Sequence, residues 1–82
     1  MRATVLVRPK GGILDPQGEA VEHSLRQLGF AVGEARIGRV IDLEVEATTA
    51  TEARMQVERM CEDLLANPLI ESYEIELAEA ES

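Results

Sequence analysis

At 82 residues the chain has room for one domain with one small hydrophobic core, and so small a domain is expected to associate to cover its remaining apolar surface. Hydrophobic residues make up 45%, yet Phe30 and Tyr73 are the only aromatics, so the core must be built from small aliphatic side chains. Sixteen Asp and Glu against eight Lys and Arg give a net charge of −8, which argues against nucleic acid and anionic membranes, and a single cysteine excludes an internal disulfide or a multi-cysteine metal centre. No stretch reaches the length of a membrane span and no apolar leader region opens the chain, so a cytoplasmic protein is expected.

Residues 3–9 alternate, with Ala3, Val5 and Val7 on one face and Thr4, Leu6 and Arg8 on the other, which is the pattern of a strand with one face in the core. Leu6 on the outer face suggests that this side is not wholly solvated. Pro9 has no N–H for a ladder and ends the strand. The stretch from Gly12 to Gly18 then turns the chain into a helix. Asp15 suits the N-cap and the positive end of the helix dipole. Pro16 suits the first helical position, and Gly11 and Gly12 free the backbone before it. Val21, Leu25 and Leu28 form one apolar stripe on a helix over 16–28. Gly29 fits a left-handed C′ position, with Phe30 expected to pack back on Leu25. Gly18 is costly in a first helical turn, by up to about 1 kcal/mol against alanine, and calls for a close backbone approach from the neighbouring strand or from a partner.

From Ala35 onward the odd positions read Ala35, Ile37, Arg39, Ile41, Leu43 and Val45, and the phase holds through Gly38-Arg39. A two-residue hairpin there would carry Asp42 and Glu44 into the core. Either one long strand over 34–46, bent at Gly38, or two strands joined by a three-residue turn fits; the single strand is preferred. It would run roughly 40 Å, longer than so small a domain covers alone, so a second copy is expected at its far end. Thr49 and Glu52 have the spacing of a capping box. Ala53, Val57, Met60, Cys61, Leu64 and Leu65 form the apolar face of a helix over 50–66, stopped at Asn67-Pro68. Tyr73, Ile75 and Leu77 mark a last strand over 71–77, and residues 79–82 are expected to fray. The order β-α-β-α-β predicts one α+β domain over 1–82. Its three-stranded antiparallel sheet carries both helices on one face, in a ferredoxin-like-related arrangement, and the sheet is shared across a dimer.

Catalytic groups are scarce. His23 is the only histidine and falls among polar neighbours on the first helix; Cys61 lies on an apolar helix face with no cation or histidine to activate it. The carboxylates follow solvated faces, and no pair stands out as acid and base. A phosphate cradle at Gly11 to Gly18 is opposed by Asp15 and by the lack of any G-x-G-x-x-G or Walker pattern. Arg36 and Arg39 sit on opposite faces of the long strand. Arg39, on the apolar face, needs an acidic partner, which a subunit interface would supply.

Three stretches together resemble the PurS family, the small subunit of phosphoribosylformylglycinamidine synthase in de novo purine biosynthesis: GILDPQGEAV at 12–21, LGF-x5-RIGRVIDLEVE at 28–46, and MCEDLLANPLIESYEIEL at 60–77. Where the family often has Gly-Lys-aromatic, this chain has Gly38-Arg39-Val40, keeping the cation and losing the ring. The resemblance implies a non-catalytic subunit that dimerises, with a tetramer as a further option. It would bridge an ATP-using synthetase subunit and a glutaminase subunit, while ammonia from glutamine converts an amide to an amidine. It also implies no cofactor or metal on this chain, with ATP and Mg held by the synthetase subunit. By position, the candidate contact residues are Leu14, Asp15, Pro16, Gln17 and Gly18 of the corner, and Arg36, Gly38 and Arg39 of the long strand. The competing reading is an ACT-like regulatory module that binds a small ligand at a dimer interface; such modules usually add a fourth strand. A free-standing enzyme is the weakest reading.

Overall fold

A computed structural model describes residues 1–78; the expected frayed tail at 79–82 lies outside the described residues. The order is β1 (Arg2–Pro9), α1 (Pro16–Gln27), β2 (Arg39–Glu44), α2 (Ala50–Met60) with a π-helical turn (Cys61–Leu65), and β3 (Glu71–Ala78). The sheet is antiparallel throughout, with β1 in the middle of the order β2-β1-β3. Register sets which side chains share a face. Val7 lies opposite Arg39 and Tyr73, Val5 opposite Ile41 and Ile75, and Ala3 opposite Leu43 and Leu77. This is the inner face. Ala3, Val5 and Val7 are buried there together with Val45, Ala53, Val57, Cys61 and Ala66, so the core is aliphatic and small, as the composition requires. On the outer face Leu6 pairs with Val40, a small apolar island amid Arg8, Asp42 and Glu74.

Helix α2 continues from the Thr49 cap, whose hydroxyl accepts the Glu52 N–H at 3.1 Å. Only half of the expected capping box forms, because the Glu52 carboxylate takes the Thr48 hydroxyl at 3.0 Å instead. The helix also widens before it ends. Ala66 N–H bonds Cys61 O at 3.0 Å, an i+5 closure. In an α-helix Leu64 and Leu65 would follow Cys61 inward; the wider turn advances the phase by one residue. Leu65 and Ala66 face the core and Leu64 is left 83% exposed, which corrects the expected apolar face. The Tyr73 hydroxyl donates to Glu62 at 2.9 Å and ties β3 to this turn; that bond and burial push its pKa up to about 12.

Two expectations about the middle of the chain need correction. The ladder of β2 covers 39–44, not 34–46, because residues 30–38 run back beside α1 without joining the sheet. No hairpin interrupts this path. And α1 does not share the inner face with α2: among the described residues it makes no substantial packing against the sheet or α2. The chain is accordingly extended, 49 × 30 × 14 Å with a radius of gyration of 16.1 Å. A compact domain of this length would have about 12 Å.

Candidate functional site

The three stretches of family-like sequence meet at the end of the sheet where β1 leaves it. Asp15 fixes the first. One carboxylate oxygen accepts the Gly18 N–H at 3.0 Å, the expected N-cap, and the other accepts the Ile37 N–H at 2.8 Å. The Ile37 and Gly18 N–H groups, in that order, hold its carboxyl below the usual range. The single side chain thus joins the start of α1 to the return segment. Gly18 is buried because a Cβ there would collide with the carbonyl oxygen of Ala35, so the close approach expected at this glycine comes from within the chain. Gly12, at φ +82°, makes the turn before the cap. At the other end of α1, Gly29 at φ +96° and the bonds Gly29 N–H to Arg26 O and Phe30 N–H to Leu25 O complete a Schellman ending. Phe30 itself stays 58% exposed.

Arg36 donates from one Nη atom to the carbonyls of Pro9 and Lys10, both at 2.7 Å. Gly38 lies against the Val7 carbonyl with no room for a Cβ. Arg39 then spans the sheet from β2 to β3 across the end of β1. It grips Glu71 through two bonds, 2.7 and 3.0 Å, and the Leu65 carbonyl at 2.6 Å. Glu71 also accepts the Asn67 N–H at 2.7 Å. Arg39 first, and Asn67 next, hold the Glu71 carboxyl below its usual range. The acid expected for Arg39 at a subunit interface is therefore an intrachain one. Lys10 completes the corner, its N–H bonding Ile70 O at 2.9 Å and its ammonium bonding Pro68 O at 2.6 Å.

Of the residues expected at a contact surface, Leu14, Asp15, Gln17, Gly38 and Arg39 line one shallow depression; Arg36 borders it, while Pro16 is exposed at the first helical position and Gly18 is buried behind it. Ile13, Ile37, Ile70 and Glu71 belong to the same depression and escaped the sequence reading. For Glu71 a signal existed, since Arg39 on an inner face required an acid. Leu14 is 71% exposed and Leu69 beside the corner 84%, so the surface is apolar above a charged, hydrogen-bonded frame. The frame offers little chemistry. Asp15 occupies the helix N-terminus where a phosphate would bind, and Arg36 and Arg39 are committed to carbonyls and to Glu71. Among the described residues no group of three His, Cys, Asp or Glu side chains is placed to hold a metal, and Cys61 is buried with its thiol pKa raised by burial, then by Glu62 and Glu58. Among the described residues no helix is long and apolar enough to cross a membrane.

The two lowered carboxyls make the corner acid-sensitive. A group held low in the folded state stabilises it fully above the ordinary value, 3.8 for Asp15 and 4.5 for Glu71, and this is lost as pH falls through the lowered one. Unfolding midpoints should therefore begin to drop as pH falls below 4.5, and drop further below 3.8. A variant carrying Asp15→Asn and Glu71→Gln should start less stable at neutral pH and show a flatter acid limb. An equally steep limb in that variant would place the acid sensitivity elsewhere.

The sheet with its capped corner places the chain in a class of small α+β proteins seen in several solved structures. The crystal structure of PurS from Methanocaldococcus jannaschii, one of the subunits of formylglycinamide ribonucleotide amidotransferase, superposes with a TM-score of 0.87 at 38% identity, covering 98% of both chains. A structure of PurLQS from Thermotoga maritima contains a chain that matches with a TM-score of 0.85 at 38% identity, covering 92% of this chain and 93% of that one. Phosphoribosylformylglycinamidine synthase subunit PurS of Bacillus subtilis is 39% identical over 79 residues, 95% of this chain and 93% of that protein. The family model described as phosphoribosylformylglycinamidine (FGAM) synthase, PurS, matches residues 2–79. The chain belongs to the PurS family, subunits of FGAM synthase in purine biosynthesis. This match does not favour the ACT-like alternative.

Proposed function

We propose that this chain is the small assembly subunit of an FGAM synthase, working in the cytoplasm as a homodimer that bridges the synthetase and glutaminase subunits. In this reading it brings no catalytic residue of its own. ATP and Mg are held by the synthetase subunit, and the ammonia released from glutamine passes between the two large partners to form the amidine. One observation carries the bridging role: the three stretches that resemble the family converge on one rigid corner whose charged side chains hold its own backbone while Ile13, Leu14 and Ile70 face outward. Within the corner Leu14 and Gln17 are the contacting side chains; Asp15, Pro16, Gly18, Arg36, Gly38 and Arg39 set the shape they are presented on. The low compactness of the single chain supports the homodimer.

The test is reconstitution with the two large subunits. Leaving this chain out should abolish glutamine-dependent turnover while turnover with added ammonium salt persists. Leu14→Asp, at an exposed position that leaves the fold alone, should lower glutamine-dependent turnover at least tenfold. Full glutamine-dependent activity without the chain would overturn the reading.

A further inference from the structure

The wide turn at Cys61–Leu65 departs from what its own sequence favours. Ala53, Val57, Met60, Cys61, Leu64 and Leu65 keep the spacing of one continuous helical face, and an α-turn here would bring Leu64 inward beside Cys61. Instead Leu64 stands exposed and Ala66 takes a buried place. A leucine is given to solvent and an alanine to the core, so apolar burial opposes the observed register. Wide turns are rare in helices and gather at functional sites. Something outside the helix must hold this one.

Three side-chain bonds do so. At the start of the turn the Tyr73 hydroxyl donates to Glu62 at 2.9 Å. At its end Arg39 donates to the Leu65 carbonyl at 2.6 Å, and Glu71 accepts the Asn67 N–H at 2.7 Å, one on either side of Ala66. Arg39 and Glu71 are themselves joined by a two-bonded fork, so a single ion pair clamps the end of the turn. Rewinding to α would rotate everything after the turn by about 100°, one residue's share of a helical turn, and carry the Leu65 carbonyl away from Arg39. Glu62 precedes the rotation and keeps Tyr73.

We infer that residues 61–66 form a two-register switch thrown by the Arg39–Glu71 fork. With the fork closed the turn is wide, the Ala66 N–H bonds Cys61 O, and Leu64 faces out. With it open the turn winds as α, the Ala66 N–H bonds Glu62 O, and Leu64 turns in while Ala66 leaves the core. The states differ by a one-residue slip between two packed arrangements, not by gradual deformation. Arg39 and Glu71 both line the depression at the corner, so a group seated there that takes either of them changes the side chain α2 presents. That last consequence rests on the contact role proposed above for the corner; the register itself does not.

NMR on the full chain tests it. Scalar couplings across hydrogen bonds identify the carbonyl that the Ala66 N–H bonds, and a soluble gadolinium chelate broadens methyl signals that face solvent. The parent should show Cys61 as the acceptor and strong broadening at Leu64. Arg39→Ala should move the acceptor to Glu62 and remove the broadening at Leu64, with the β1–β3 cross-strand contacts kept as a sign that the fold is intact. Arg39→Lys, which keeps the cation and loses the fork, takes its place should the alanine variant not fold. Deleting Asp63 is the control. It puts Ala66 one ordinary α-turn after Cys61 and leaves Leu64 outside, so Arg39→Ala in that background should move neither signal. Arg39→Ala that leaves the acceptor at Cys61 and Leu64 exposed overturns the switch. So does one in which the Ala66 N–H bonds neither carbonyl, because the turn has then frayed and not rewound. Movement of Leu64 in the Asp63-deleted chain overturns it too, since that chain has no second register to adopt. None of these outcomes touches the assembly role, which is read separately from glutamine-dependent turnover.

Discussion

Replacing Gly38 by alanine is expected to destabilise the fold by about 3 kcal/mol, at the upper end of what overpacking usually costs. A Cβ at Gly38 would collide with the Val7 carbonyl oxygen and stand 3.2 Å from its carbon and 3.3 Å from Arg8 Cα. Neither side can give way. Val7 belongs to the central strand, paired on both edges, and is 1% exposed, while Arg36 and Arg39 pin the chain on either side of Gly38. For a domain of this size the thermal midpoint should fall by roughly 12–24 °C. Gly33→Ala is the control, since a Cβ there meets nothing within 4 Å; it should be neutral or stabilising by about 0.4–1 kcal/mol. Gly18→Ala should cost a comparable amount, because its Cβ would strike the Ala35 carbonyl oxygen and the Asp15 carboxylate, both held in place at the corner. If Gly38→Ala melts within a few degrees of the parent, the corner is not the rigid element described.

The second large effect belongs to Arg39. Its removal releases the fork on Glu71 and the bond to Leu65 O together, and Glu71 then holds only Asn67. The Arg39 side chain is 49% exposed and that of Glu71 18%, so the loss falls below that of a buried pair: about 1–2 kcal/mol for Arg39→Ala. Arg39→Lys should recover little of it, because an ammonium cannot reproduce two parallel bonds and a third to a carbonyl. In a double-mutant cycle with Glu71→Ala, measured by urea unfolding, a coupling of about 1 kcal/mol is expected. Coupling near zero would mean that Arg39 acts through Leu65 alone.

Local rules made much of this architecture legible. Asp15, Pro16 and Gly29 mark both ends of α1 through cap chemistry that depends on a few adjacent residues, and alternation marks the inner face of all three strands. The misreadings arose where tertiary partners decide. Alternation from 35 to 38 looks like strand, yet those backbone groups are claimed by the corner: Ile37 N–H goes to Asp15, and Gly38 packs edge-on against β1. Likewise the stripe on α1 reveals that the helix has an apolar face, not whether its own sheet covers it. The wide turn at Cys61–Leu65 has no local signature, and it moved Leu64 from core to surface. For the corner, the loop and the two arginines were readable from position, whereas Glu71, distant in sequence, entered only through register.

The pairing of β1 with β3 also orders events during synthesis. Arg2 lies opposite Ala78 and Pro9 opposite Glu71, so every residue pair across this ladder is more than sixty positions apart. The central strand is thus translated early and waits for one of its two neighbours until residues 71–78 have left the ribosome. Meanwhile helix α1 can form, since its cap, helix and Schellman ending need only residues 15–30. A nascent chain would present a finished apolar helix before it has a finished sheet, with the slow, non-local closure of β3 as its final step.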